Sequence, residues 1–336
     1  MKLLVTGGCG FIGSNFIHYW LSKHPGDEIV NLDKLTYAGN PENLKSVEKN
    51  PRYKFIRGDV ADEKIVEQAM NGCDTVVNFA AESHVDRSIN DPLEFIQTDV
   101  VGAFVLLEQA RKYNVKKFVQ ISTDEVYGQI LEGSWTEETT LNPRNPYSAS
   151  KAGADRLAYS FFATYGLPVV ISRASNNFGP YQFPEKLIPL FVTNLMERKK
   201  VPVYGDGMQV RDWLYVKDHC SAIDFLIRNG KNGEVYNVAG GNEKRNIDII
   251  RSILKSLKKS DSSIERVPDR IGHDRRYSLD GSKLRAMGWK PEPASFESRL
   301  QETIQWYVQN TGWWKPLKRT VIEKITHQQQ NKKVKS

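Results

Sequence analysis

Lys2-Leu3-Leu4-Val5-Thr6-Gly7-Gly8-Cys9-Gly10-Phe11-Ile12-Gly13 opens the chain. An apolar strand-like run leads into G-x-x-G-x-x-G on Gly7, Gly10 and Gly13, and a helical pattern starting at Phe11 and Ile12 follows. Glycines so placed permit a tight turn and close backbone approach to a pyrophosphate, which rests on the N-terminus of the following helix. Alone the glycine pattern is weak; the strand before and the helix after supply the context it demands. Asp33 ends the second apolar run, where a carboxylate can accept hydrogen bonds from an adenosine ribose and would repel a 2′-phosphate. The pattern therefore predicts NAD rather than NADP, with turn capping as the plainer role for Asp33. Asp59-Val60, after the third run, stands where adenine would be met, or is a simple loop pair.

Outward from that motif, short apolar runs alternate with helical patterns, the sign of a parallel sheet covered by helices. The periodicity predicts strands near 2–6, 28–32, 53–57, 74–79, 117–122 and 168–173, and helices near 11–23, 62–70, 93–113 and 147–165. Beyond residue 174 prolines break the rhythm, and helices are expected near 186–198, 217–229, 246–258 and 295–309. The predicted fold is α/β: a Rossmann-type doubly wound parallel sheet with a smaller C-terminal α/β substrate lobe. The expected division is 1–175 for the dinucleotide domain, with some later segments returning to it, 176–315 for the second lobe and 316–336 for a basic, flexible tail.

A formal charge of +7 would suggest nucleic acid, but residues 315–336 hold most of the excess, seven Lys and Arg against Glu323. Nucleic-acid binding by the body of the protein is not expected. No apolar run reaches the roughly 18–20 residues of a membrane helix, and the first residues show no signal-peptide pattern. Cys9, Cys73 and Cys220 are too scattered for a metal or disulfide framework, so a reduced cytoplasmic compartment is expected. Cys9 reads as a small packing residue. No metal site is expected.

Tyr147-Ser148-Ala149-Ser150-Lys151 places tyrosine and lysine at i and i+4 on one helical face. A phenol is a poor base at neutral pH, and an adjacent ammonium lowers its pKa by favouring phenolate. The pair can thus take a hydroxyl proton while the carbon loses hydride to a nicotinamide. Ser122-Thr123-Asp124-Glu125-Val126-Tyr127-Gly128 adds two neighbouring carboxyls past the fifth strand, at the end facing the crevice of a parallel sheet. Burial and mutual repulsion can split such a pair into an acid and a base. Solvated loop carboxylates are the plainer alternative. Beside a hydride-transfer pair, an acid and a base point to loss of water from the oxidised product.

Further segments match a known family: Leu32 to Asn40, Ala80 to Ser88, Ser175 to Pro189, Val210 to Leu214 and Gly272 to Tyr277. With Thr6 to Asn15 and the two stretches above, the chain resembles the dTDP-glucose 4,6-dehydratases of the extended short-chain dehydrogenase/reductase superfamily over residues 1–315. The resemblance implies that Tyr147, aided by Lys151, takes the glucose 4-hydroxyl proton as C4 hydride passes to tightly bound NAD. Glu125 then removes the C5 proton, Asp124 protonates the departing 6-hydroxyl, Thr123 holds O4, and the hydride returns to C6. It further implies a cofactor lining of Gly7, Gly10, Phe11, Ile12, Gly13, Asp33, Lys34, Leu35, Thr36, Asp59, Val60, Phe79, Ala80, Ala81, Ser83, Thr98, Tyr147, Lys151 and Asn177. The nucleotide-diphosphate sugar falls to Ser83, Thr123, Asn176, Lys186, Leu187, Pro202, Val203, Tyr204, Arg211, Asn246, Arg270, His273 and Tyr277. Arg211 and Arg270 suit a diphosphate because guanidinium offers a fork of donors; surface ion pairs with Asp212 and Asp269 are the alternative. Departures from the family pattern at Cys9, Ala174, Phe178 and Ile271 leave the acid, base and relay residues intact.

A uridine nucleotide remains open as substrate. A 4-epimerase or decarboxylase on the same fold would need the tyrosine and cofactor but no elimination, so Asp124-Glu125 discriminates. A non-catalytic sensor of NAD or nucleotide sugar would not require these groups. The resemblance also implies a homodimer through helices 93–113 and 147–165, which carry Val100, Val101, Phe104, Val105, Leu107, Leu157, Tyr159, Phe161 and Phe162. Packing on the sheet alone would use the same residues.

Overall fold

The computed structural model describes residues 1–269 and 272–319. Its main sheet has seven parallel strands. β1 (Lys2–Thr6) lies inside, with β2 (Glu28–Asp33) and β3 (Tyr53–Arg57) to one side. The chain then crosses back to build β4 (Thr75–Asn78), β5 (Lys117–Thr123) and β6 (Val169–Ala174) on the other side. That reversal opens a crevice beyond the carboxyl ends of β1 and β4, where Gly7 and Phe79-Ala80 stand. β4 is buried along its whole length, as a central strand covered on both faces must be.

The six strands expected from sequence are present. A seventh, Val235–Val238, pairs with β6 at the sheet edge. It is four residues long and returns from the second lobe, as does helix Val216–Asn229, which packs on helix Phe11–Lys23. The second lobe holds a three-stranded sheet (Glu243–Arg245, Val210–Tyr215, Asn176–Phe178) and a parallel pair (Val201–Tyr204 with Ile264–Val267). Its own core gathers Phe178, Ile188, Phe191, Ile250, Ile304, Tyr307 and Trp314.

Two helices set the site. Pro146–Tyr165 begins with a capping box: the Asn145 side chain accepts from Ser148 N, and Ser148 Oγ accepts from Asn145 N. Pro146 occupies the first turn, and Gly166, at φ 69°, ends the helix in the left-handed conformation. Tyr147 is thereby fixed in the first turn and Lys151 one turn on. The helix expected over 93–113 is instead three consecutive pieces: α-helical Pro92–Phe95, π-helical Ile96–Val101 and α-helical Gly102–Lys112. Gly102 allows close packing, since a Cβ there would lie 2.5 Å from Val60 Cγ2.

Residues 311–319 are helical. Lys318, counted with the basic tail from sequence, is buried, and its ammonium donates to Thr193 Oγ1, Asn194 Oδ1 and Glu197 Oε2 at the end of helix Leu187–Met196. The flexible tail expected over 316–336 therefore does not begin at 316, and residues 320–336 lie outside those described. All three cysteines are buried thiols, and burial beside Asp33 pushes that of Cys9 up to about 12. Among the described residues no helix is long and apolar enough to cross a membrane.

Candidate active site

A deep cavity follows the crevice at the carboxyl edge of the sheet. Its walls include Gly7, Gly10, Phe11, Ile12, Gly13, Asp33, Lys34, Thr36, Asp59, Val60, Phe79, Ala80, Ala81, Ser83, Thr98 and Asn177. The glycines are sterically required: a Cβ on Gly7, at φ +67°, would lie 2.7 Å from Ala80 N, and one on Gly13 would lie 2.4 Å from Gly7 O. Asp33 caps the turn as well as lining the cavity, accepting Leu35 N and Cys9 N at 2.8 Å each. Burial raises its carboxyl pKa. Lys34 and Asp59 close an ion pair of 2.7 Å at the outer end. A glycine turn opening a helix, an acid at the end of β2 and a long apolar floor fit a dinucleotide.

Thr123, Asp124, Glu125, Tyr147 and Lys151 line the inner end of the same cavity. Thr123 caps a 3-10 turn, Asp124–Tyr127: its hydroxyl accepts Glu125 N at 3.3 Å and donates to Asp124 Oδ1 at 3.2 Å. The other oxygen of Asp124 is buried and has no hydrogen-bond partner. Burial and then the neighbouring Glu125 hold the Asp124 carboxyl well above the usual range, favouring its protonated form. Glu125 is also raised by burial, but Arg211 and Lys186 pull it back toward ionisation. Both carboxyls are thus raised, with cations opposing the shift more at Glu125 than at Asp124. For Tyr147 the direction is opposite to the expectation from Lys151: burial, then Glu125 and Asp99, raise the phenol well above its usual value. The Lys151 ammonium donates to the Ile121 carbonyl oxygen at 2.7 Å, and burial lowers its pKa.

A second cavity lies against the smaller lobe, lined by Leu187, Pro202, Tyr204, Arg211, Asn246, His273, Asp274 and Tyr277. Ser83, Glu125, Asn176 and Lys186 border both cavities. Glu125 is thus accessible from either cavity. Arg211 is not spent on Asp212. Its guanidinium donates to the carbonyls of Val210 and Asp274 and lies 4.1 Å from the Tyr277 ring centre. Asp212 instead accepts Ser175 Oγ, Gly240 N and Asn242 N.

The sequence model of the GDP-mannose 4,6 dehydratase family matches residues 4–303. A dTDP-glucose 4,6-dehydratase of Streptomyces niveus is 49% identical over 95% of this chain and 96% of its own length. The chain belongs to the dTDP-glucose 4,6-dehydratase family. The crystal structure of the Bacillus anthracis dTDP-glucose 4,6-dehydratase in complex with NAD superposes with a TM-score of 0.89 at 50% identity, covering 94% of this chain and 99% of that one. A UDP-glucose 4-epimerase from Thermotoga maritima, solved with UDP-glucose, superposes with a TM-score of 0.86 at 29% identity, covering 93% and 100%. The fold is therefore shared between dehydratases and epimerases.

Of the cofactor positions carried over from the dTDP-glucose 4,6-dehydratase family, Leu35 alone does not line the first cavity. At φ 57° its N–H turns back onto Asp33 and its side chain packs into the core. Of the substrate positions, Val203 does not line the second: strand alternation points Pro202 and Tyr204 into the cavity and buries Val203 on the opposite face. Arg270 lies outside the described residues. Among those described, no group of three His, Cys, Asp or Glu is placed to hold a metal ion.

Sequence reasoning missed Asp99, which sits inside the π-helical turn and is 2% exposed. It accepts Ser150 Oγ at 2.6 Å and Glu82 N at 3.0 Å. Burial raises its carboxyl to about 6 while Lys151 lowers it, and Asp99 in turn favours the charged form of Lys151. An isolated acid in an apolar helical pattern was the available signal. Asp99→Asn removes a negative charge that supports the Lys151 ammonium, so Lys151 loses its proton at lower pH. The alkaline limb of the turnover profile is expected to move to lower pH in this variant. An unmoved limb would show that Asp99 does not govern Lys151.

Proposed function

We propose that this chain is a dTDP-glucose 4,6-dehydratase, forming dTDP-4-keto-6-deoxyglucose and water. One observation carries the reading: Asp124 and Glu125, with unequal proton affinities, line the cavity of Tyr147 and Lys151, and Glu125 also borders the second cavity. Tyr147 takes the proton of the 4-hydroxyl, with the Lys151 ammonium offsetting the phenolate charge. Thr123 hydrogen-bonds the sugar near O4. A 4-keto group acidifies the C5 proton, which Glu125 removes, while Asp124 delivers its proton to the leaving 6-hydroxyl. The hydride taken from C4 and held on bound NAD comes back at C6 as Glu125 returns its proton to C5, and the proton taken by Tyr147 makes good the one lost by Asp124, so no net oxidation occurs. Arg211, on the second cavity, holds the diphosphate, and Asn246, His273 and Tyr277 surround the nucleotide.

The dimer belongs to this reading as well. The run Pro92–Lys112, with its π-helical piece, and helix Pro146–Tyr165 leave Leu93, Ile96, Phe104 and Tyr159 exposed, which suits pairing with a second copy. Leu107 and Phe161 are buried in the sheet-facing core and take no part. Three separate buried thiols suit a reducing, cytoplasmic compartment.

The test is to incubate purified protein with dTDP-glucose and with UDP-glucose and to weigh the products. Loss of one water from dTDP-glucose is expected. An isomer of unchanged mass would identify an epimerase and overturn the assignment.

A further inference from the structure

The carboxyl-terminal helix reaches back to the glycine-rich turn. Trp313 Nε1 donates to Asn43 Oδ1 at 2.8 Å, joining residues 270 positions apart. Asn43 is 2% exposed, and its amide passes the contact on: Nδ2 donates to the carbonyl of Cys9 at 2.9 Å. Cys9 lies within the turn between Gly7 and Gly13, and its own N–H is held by Asp33. The chain Trp313–Asn43–Cys9 therefore ends one residue before Gly10, which lines the dinucleotide cavity.

The surrounding groups make this a junction rather than a stray contact. Trp313 packs edge-on to Trp306 and Tyr181, with ring centres 5.0 and 5.9 Å away. Tyr181 stacks on His18, whose Nε2 lies 2.7 Å from the Asn43 carbonyl oxygen. Next to Tyr181, the Pro180 carbonyl accepts the amide of Asn15, on the first turns of the helix that receives the pyrophosphate. Tyr181 itself holds φ +66°, a strained backbone that persists only where neighbours enforce it. One cluster thus grips the glycine-rich turn, the loop behind it and the following helix.

We propose that Trp313 and Asn43 are positioning residues that tether the dinucleotide loop to the smaller lobe and slow release of NAD. The inference rests on the NAD-dependent reading above. In that reaction a hydride is taken and given back, so a cofactor that left midway would strand the oxidised sugar. Retention therefore matters more here than for a dehydrogenase that exchanges its cofactor every turnover.

The experiment uses the full-length holoprotein and its Trp313→Phe variant, which keeps an aromatic ring but loses the N–H donor together with part of the indole. NAD remaining on the protein after dilution is measured by acid extraction over time. Release is expected to be roughly three- to tenfold faster in the variant, the range for one hydrogen bond, and added NAD should restore the turnover lost on dilution. The melting temperature should fall more with saturating NAD than without it. Asn43→Leu, near-isosteric, should also speed release, and combining the two should add less than the product of the single effects, as expected for one relay. Release within twofold of the unmodified protein in both variants overturns the tether, as does an equal loss of melting temperature with and without NAD. Failure of the unmodified protein to bind NAD would overturn the cofactor reading too, whereas a normal NAD complex without dehydration would overturn only the dehydratase assignment.

Discussion

Replacing Asp124 with Asn and Glu125 with Gln is expected to leave NAD bound and to reduce water loss from dTDP-glucose by roughly 10²–10⁴-fold for either change alone. The double variant should fall little further, because groups serving one elimination are not additive. The side chains line the inner end of the cofactor cavity, and neither makes the glycine turn or the Asp33 cap. In the proposed mechanism C4 oxidation falls to Tyr147 and Lys151, so nicotinamide absorbance should rise in a single turnover and stay high, with no hydride acceptor formed at C6. Unchanged dehydration in the double variant, by product mass, would remove the acid–base assignment. The pH dependence has a defined sign. Glu125 must be ionised and its pKa is raised, so the rate falls as pH drops through that raised value. In the proposed reaction Asp124 acts protonated, the form that its upward shift favours.

Asp155→Ala is expected to cost about 3–5 kcal/mol of folding stability, the range for breaking a buried pair on one side. Arg173 and Asp155 are 2% and 0% exposed, and the guanidinium binds the carboxylate with two bonds, at 2.8 and 2.9 Å. Arg173 also donates to Tyr127 OH, which donates to Asn237 on the edge strand. Removing Asp155 strands a cation beneath the turn that carries Asp124 and Glu125. The Asp155 pKa is lowered, chiefly by Arg173 against the opposing effect of burial. Its contribution is therefore present above the unfolded-state pKa and lost as pH falls through the lower folded value. Denaturant titration checks the prediction: a loss below about 1 kcal/mol contradicts it. Replacing both partners with apolar residues of similar volume should cost far less.

Most of the frame was legible because local and global signals agree along the first half of the chain. Apolar runs of strand length alternate with helical periodicity, and the capping residues Asn145-Pro146 and Gly166 mark the helix that carries Tyr147 and Lys151. The edge strand Val235–Val238 escaped because four residues after an irregular lobe give no usable period. Site residues on a motif could be read; those whose place depends on side-chain direction could not. Leu35 and Val203 lie off the two cavity walls for that reason, one through a left-handed backbone and one through strand alternation. Asp99 and the Trp313–Asn43 contact are products of tertiary packing, the latter across nearly the whole chain. The upward direction of the Tyr147 pKa has the same origin, since sequence names the ammonium next door but not the depth of burial.

The π-helical turn at Ile96–Val101 holds one residue more than ordinary winding would use. Within that turn Thr98 meets the cavity wall and Asp99 meets Ser150, while Leu106 and Leu107 of Gly102–Lys112 stay in the sheet-side core. Deleting a single residue there would let the coil tighten with its flanks undisturbed, so architecture and chemistry can part company at one peptide unit.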